Sequence, residues 1–162
     1  MSATDPHWLT KAKQYIGLKE IPGPRHNKTI THWLERLNAW WRDDETPWCG
    51  VFCAAVMQEV GLPYPKFYMR ARAWGDYGVL LRPDRLAPGA ILVFDRKGGG
   101  HVGFYVGEDA GFYYVLGGNQ SNAVNVMKLG KSRLVASRWP RGEAVIGGPV
   151  QMKGGMVSTN EA

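Results

Sequence analysis

The regularity of the chain changes near Pro88-Gly89, and this change constrains the fold more than any other feature of the sequence. Before it, apolar residues recur at helical spacing and each stretch ends at or near a glycine, which predicts amphipathic helices. After it, short apolar runs between glycine-rich turns predict successive β-strands. Helices followed by an antiparallel meander are typical of the α+β class, so we expect N-terminal helices packed on a small antiparallel β-sheet.

The individual elements follow from the same patterns. Helices are predicted over residues 6–16, 30–41 and 49–61, with a short helical piece at 67–74. Strands are predicted over residues 90–94, 101–107, 112–116, 123–128 and 133–138. The glycine-rich end of the chain shows little periodicity. We therefore expect one domain over residues 1–142 and a tail over residues 143–162 that is partly ordered at best.

Composition narrows the possible partners. The 162 residues carry a formal net charge of +6, which favours anionic partners such as nucleic acid, anionic lipid or cell wall. The basic residues are scattered, and the densest stretch, residues 69–74, holds only two, so we expect no nucleic-acid partner. No apolar run approaches the ~20 residues that span a bilayer, so we expect no stable membrane insertion. General attraction to an anionic polymer is the interpretation that remains.

Cys49 follows Pro47 and Trp48 and begins an apolar stretch that continues without a breaker to Gly61. Proline ends any preceding helix and glycine ends the following one, so the pattern places Cys49 in the first turn of a helix. Unpaired N–H groups and the positive end of the helix dipole favour a thiolate there, which makes Cys49 a candidate nucleophile. Cys53, one turn further on, is expected to be a buried apolar residue.

A thiol nucleophile needs a base within hydrogen-bonding distance, and the base needs a group that orients it. His101 is the best placed histidine, because it begins a strand directly after three glycines. Asn119, at the end of the strand after His101, is the candidate orienting residue, and Gln120 is its rival for this role. The alternative for Asn119 is a turn residue in the left-handed conformation.

Three residues within the five that precede the nucleophile are candidate substrate-binding residues. Asp44 or Glu45 would meet a substrate amine in the cleft, or would instead cap the helix from a solvated loop. Trp48 would form a wall of the cleft or pack in the core. The Cys-x-x-x-Cys spacing of Cys49 and Cys53 is poor for zinc, so we expect no metal site.

Three blocks of the sequence resemble the CHAP and NlpC-like cysteine peptidases and amidases. The blocks are residues 48–52, 100–105 and 116–120, with further likeness at residues 15–20, 44–47 and 73–75. The likeness therefore covers roughly residues 8–140. The subgroup that the chain resembles most is the small single-domain type found among phage and prophage lysis proteins.

The resemblance implies a papain-like α+β fold and cleavage of an amide bond in peptidoglycan. By position, Cys49 would be the nucleophile, His101 the base and Asn119 the third polar residue, while Gln120 would also be a candidate substrate-binding residue. Such a protein is a cysteine-dependent endopeptidase or N-acetylmuramoyl-L-alanine amidase that needs no cofactor, and we expect a monomer. No secretory signal is visible, so we expect synthesis in the host cytoplasm and action in the periplasm or cell wall after release.

Two alternatives stay open at this point. One is a non-catalytic wall-binding or structural module on the same fold. The other is a secreted antibacterial amidase effector with the same chemistry.

Overall fold

The computed structural model describes residues 5–21, 26–44, 46–97 and 99–152. Within these residues three α-helices come first and six β-strands follow, which confirms the α+β class. The helices are α1 (His7–Lys13), α2 (Lys28–Arg36) and α3 (Cys49–Glu59). The strands are β1 (Val79–Leu80), β2 (Ile91–Arg96), β3 (Gly99–Glu108), β4 (Phe112–Gln120), β5 (Ala123–Gly130) and β6 (Leu134–Trp139). Short 3-10 helices cover Ala71–Asp76, Pro83–Arg85 and Lys131–Arg133.

The strands form one antiparallel sheet in the order β1-β6-β2-β3-β4-β5. Strands β2 to β5 are the predicted meander, and β6 returns to the free edge of β2. The prediction that β4 ends at residue 116 was wrong, because the strand continues to Gln120. Its pairing with β5 shifts by one residue between Gly117 and Gln120. Asn119 and Gln120 therefore lie on an irregular strand end rather than in a loop.

Helix α3 is buried on every side, and residues 49–57 are all buried. It packs on β3 and β4 and is covered by α1 and α2, so residues 49–57 present no face to solvent. A helix in such a place is apolar all round, which explains its unbroken apolar sequence. The Phe52 ring connects the layers, with its centroid 5.7 Å from the Trp33 ring on α2 and 6.1 Å from the Phe104 ring on β3.

Two glycines allow α3 to begin where it does. A Cβ atom at Gly118 would lie 2.7 Å from the Cβ atom of Phe52 and 2.8 Å from the Trp48 ring. A Cβ atom at Gly50 would overlap the backbone carbonyl of Tyr68. The first turn of α3 is therefore held directly against the backbone of β4 on one side and of the following loop on another.

Residues 150–152 lie against the end of β3. The Val150 N–H donates to the Tyr105 hydroxyl at 3.0 Å, and the Met152 N–H donates to the Glu108 carbonyl at 2.7 Å. The tail predicted from residue 143 thus contacts the sheet at residues 150–152, and the part after residue 152 lies outside the described residues. Among the described residues, no helix combines the length and the apolar character that crossing a membrane requires.

We predict that Gly118→Ala destabilises the protein by about 1–3 kcal/mol, because the new methyl group overlaps Phe52 and Trp48. Urea unfolding followed by tryptophan fluorescence measures the change. Gly111→Ala is the matched control, since a Cβ atom there has no neighbour within 4 Å, and it should shift stability by less than about 0.5 kcal/mol. Equal stability of the two variants would contradict the close packing of α3 on β4.

Candidate active site

Cys49 is the first residue of α3, and 5% of its surface is exposed. Its thiol lies against β3, where the backbone of Val102 hydrogen-bonds to it, and it also meets the backbone of Gly50 at the start of the helix. The side chain opens on a groove of about 380 Å³. The groove lies between Pro47 and Cys49 on one side, residues 69–72 on another, and residues 96–97 and 99–100 of the β2–β3 connection on the third.

The sequence predicted a thiolate at Cys49, whereas the surroundings of Cys49 in the structure favour the neutral thiol. Burial raises the pKa of Cys49 above its ordinary value of 9.0, and this outweighs the hydrogen bond from Val102 and the positive charge of Arg96, which lower it. The dipole and N–H groups at the start of α3 act in the same direction as Arg96 but do not compensate for the loss of water. At neutral pH the side chain is therefore a thiol.

His101 lies near the start of β3, opposite Phe94, and is fully buried. Its Nε2 atom is 2.8 Å from the Oε1 atom of Gln120. Its Nδ1 atom has no hydrogen-bond partner among the described residues. An unpartnered ring nitrogen in a buried histidine is costly as structure alone, and this points to a chemical use for Nδ1.

The environment of Gln120 determines which ring nitrogen carries the proton. Its Nε2 group donates to the Asn125 carbonyl at 2.8 Å, to Asn125 Oδ1 at 2.9 Å and to the Val115 carbonyl at 3.2 Å. These partners are oxygens that only accept, so the amide nitrogen must face them and Oε1 must face the histidine. His101 Nε2 therefore donates, and Nδ1 carries the lone pair. This is the tautomer that a general base requires.

The orienting contact expected of Asn119 is made by Gln120 instead. Asn119 has a φ angle of +59°, in the left-handed region, and sits at the register shift of β4. This is the turn-like conformation that was the alternative for Asn119 in the sequence. The shift turns the Gln120 side chain back beneath His101, where Asn125 holds it. Asn125 is a positioning residue that the sequence patterns did not indicate, because a polar residue on a strand usually faces solvent.

Cys49 and His101 are brought near each other through the backbone of β3. Gly100 lines the same groove as Cys49, and Val102 hydrogen-bonds to the thiol, so both chain neighbours of His101 lie beside Cys49. The charge of Arg96 acts on both side chains. The thiol and the imidazole are nevertheless not hydrogen-bonded, since Nδ1 is without a partner among the described residues. Catalytic hydrogen bonds are often long before substrate binds.

Burial lowers the pKa of His101 to about 4, although the hydrogen bond to Gln120 acts in the opposite direction. The charges of Arg96 and Arg133 lower it further. The resting site is therefore a neutral thiol beside a neutral imidazole rather than an ion pair. A proton must move from sulfur to nitrogen during any reaction that uses both groups.

The residues expected to bind substrate are placed differently from the prediction. Asp44 is fully buried and accepts hydrogen bonds from the backbone N–H groups of Ile21 and Asn27, so it holds the preceding loop and cannot meet a substrate amine. Trp48 is 1% exposed and donates to Glu20 at 2.8 Å, so it packs in the core rather than forming a wall of the groove.

Two further expectations concern the cysteine pair and Glu45. Cys53 is fully buried in α3, as expected of a packing residue. Glu45 lies outside the described residues. In the part of the chain that the structure describes, no cluster of three or more histidine, cysteine or acidic side chains could hold a metal ion.

Comparison with known proteins does not assign the chain to a family. A scan against protein-family models gives no match, and a search of the curated proteins gives no significant match.

We predict that Cys49 reacts with iodoacetamide at a rate that keeps rising above pH 9, without a plateau near neutral pH. The physical reason is that burial raises the pKa of this thiol. Mass spectrometry of the Cys53→Ala protein, in which Cys49 is the remaining thiol, follows the reaction between pH 5 and pH 10. A plateau that begins below pH 7 would instead show a thiolate stabilised by the histidine.

We predict that His101 makes the protein less stable in acid. Its folded pKa of about 4 lies below the ordinary value of 6.5, so between these pH values the unfolded chain binds a proton that the folded chain does not. The free energy of unfolding therefore falls as the pH falls through this window, by about 3 kcal/mol from this group. Urea unfolding at pH 4, 5, 6 and 7 should show a smaller loss for His101→Gln than for wild type. The exposed His32→Gln variant should match wild type, and parallel profiles for all three proteins would contradict the prediction.

Proposed function

We propose that the chain is a cysteine-dependent hydrolase that cleaves an amide bond in the peptide part of peptidoglycan. The observation that carries the chemistry is the buried His101, whose Nε2 is held by Gln120 and whose Nδ1 lone pair is free beside the segment that contacts the Cys49 thiol. The substrate class rests on the resemblance of the three sequence blocks to CHAP and NlpC-like enzymes. A papain-like arrangement of α3 against β3 and β4 is part of the same proposal.

The proposed reaction begins with two neutral groups. When substrate fills the groove, the thiol and Nδ1 approach within hydrogen-bonding distance. As sulfur attacks the carbonyl carbon, its proton passes to Nδ1. The first N–H groups of α3, which have no partner within the helix, stabilise the negative charge on the carbonyl oxygen.

The remaining steps release both halves of the peptide. The protonated His101 gives its proton to the leaving amine, and a thioester to Cys49 remains. Water then attacks the thioester while Nδ1 accepts a proton from it. Nδ1 passes this proton to the departing sulfur, which restores the thiol, and the released acid ionises to the carboxylate. Gln120 keeps Nε2 protonated throughout, so that the same nitrogen acts in both steps.

The setting proposed for this activity is the bacterial cell wall, which the chain would reach after synthesis in the host cytoplasm. Its net charge of +6 would hold it on the anionic wall polymer.

A second candidate is a wall-binding module without turnover. It is favoured by one observation, the missing hydrogen bond between Cys49 and His101 in a site where both groups are neutral. Such a protein would bind purified sacculi and release no soluble peptide. The hydrolase is preferred because a non-catalytic module has no need for a buried histidine with an unpartnered nitrogen.

We predict that wild type releases soluble muropeptides from purified sacculi and that Cys49→Ala lowers the rate more than about 1,000-fold. Liquid chromatography with mass spectrometry measures the release and identifies the bond that is cut. Cys53→Ala is the matched control, because it removes the second thiol one helical turn away, and it should keep activity within about tenfold. Equal activity of Cys49→Ala and wild type would refute the thiol mechanism, whereas binding without release by wild type would favour the module.

A further inference from the structure

The groove beside Cys49 is strongly cationic. Four of its ten lining residues carry a positive charge, namely Arg70, Arg72, Arg96 and Lys97, and none of the ten is acidic. The two pairs come from segments more than twenty residues apart, which is why the sequence showed only scattered basic residues. The fold concentrates these charges at the opening where the thiol is reached.

Most of these charges have no counter-charge among the residues that the structure describes. Arg72 is paired with Asp95 at 2.6 Å, at the exposed edge of the groove. Arg70 lies over the Phe67 ring, 5.2 Å from its centroid, and has no carboxylate partner in the described part of the chain. Arg96 and Lys97 form no salt bridge with any described residue. Like charges held together without counter-charges repel each other, so an anion in the groove would relieve this repulsion.

Arg96 connects the charged wall to the reacting atoms. Its charge acts on both the Cys49 sulfur and the His101 ring. Arg96 and Cys49 also line the same groove, so a group bound by Arg96 would belong to the peptide whose carbonyl the thiol attacks. A planar guanidinium matches a carboxylate through two parallel hydrogen bonds, which gives orientation as well as attraction.

From this placement we infer that the groove recognises a peptide with free carboxylates on the residues next to the scissile amide, bound by Arg96 and Arg70. This inference rests on the proposed hydrolysis of wall peptides and names the feature of the peptide that the site recognises. It differs from general attraction of a basic protein to an anionic polymer, because it assigns the recognition to two groove residues rather than to net charge.

The experiment uses purified sacculi in two forms, native and with their free carboxylates converted to amides by carbodiimide and ammonium. Wild type should cleave the amidated form about 10- to 100-fold more slowly, as expected for the loss of a charge-assisted hydrogen bond. Arg70→Gln should slow cleavage of native sacculi by about tenfold and should leave cleavage of amidated sacculi unchanged. Arg96→Gln should slow cleavage of native sacculi by a factor about tenfold larger than its effect on amidated sacculi, because its charge also acts on Cys49 and His101 whichever substrate is bound. This pattern is the coupling that direct contact requires.

Arg82→Gln is the matched control for charge. It removes one positive charge from an exposed arginine that is paired with Asp84 and does not line the groove, so it should behave as wild type on both forms. Equal cleavage of native and amidated sacculi by wild type would overturn the inference. So would equal effects of Arg82→Gln and Arg96→Gln, since this would show that net charge alone is responsible.

A binding measurement separates this inference from the proposed function. Cys49→Ser protein is mixed with each form of the sacculi, and the fraction that sediments gives the affinity. Tighter binding to native than to amidated sacculi, lost when Arg96→Gln or Arg70→Gln is added to Cys49→Ser, supports recognition even if wild type cleaves neither form. In that case the proposed hydrolase function is rejected, and the inferred recognition of carboxylates is kept. Equal binding to both forms rejects recognition whether or not hydrolysis occurs.

Discussion

The burial of α3 on all sides is the constraint on which the rest of the structure depends. The helix fills the space between the sheet and the first two helices, and its start is pressed against β4 at Gly118 and against Tyr68 at Gly50. These contacts fix the position of the first turn of α3. They therefore also fix where Cys49, the first residue of that turn, lies in the groove. The position of the thiol is therefore a result of core packing.

Burial also determines the protonation of the site. The same packing that positions Cys49 and His101 removes water from both, which raises the pKa of the thiol and lowers that of the imidazole. At Cys49 the charge of Arg96 opposes this desolvation but is weaker, whereas at His101 the charges of Arg96 and Arg133 act in the same direction as desolvation. The pair is therefore held in its uncharged form until a substrate changes its surroundings.

Much of the fold could be predicted from the sequence, because local patterns reflect local geometry. The three helices, the meander and the start of α3 at Cys49 all follow from apolar spacing and from the positions of proline and glycine. The contact between Gln120 and His101 could not be predicted, since it depends on a one-residue shift in the pairing of β4 and β5. A strand pattern does not show which of two adjacent polar residues turns inward.

The cationic groove and the burial of Asp44 could not be predicted from the sequence either, for a related reason. Asp44 looks like a loop residue near a cleft, and only the fold brings the Ile21 and Asn27 N–H groups to it. The arginines that line the groove belong to segments that meet only after the sheet has formed. Tertiary contacts of this kind leave no periodic signal in the chain.

The surroundings of Gln120 restrict which kind of side chain can support the histidine. A carboxylate at this position would bring its oxygens against the carbonyl groups of Val115 and Asn125 and would lose the donors that these groups require. It would also place a full negative charge beside the ring and favour its protonated form. A primary amide avoids both effects, so His101 returns to the neutral form after each proton it gives up and is ready to accept the next one.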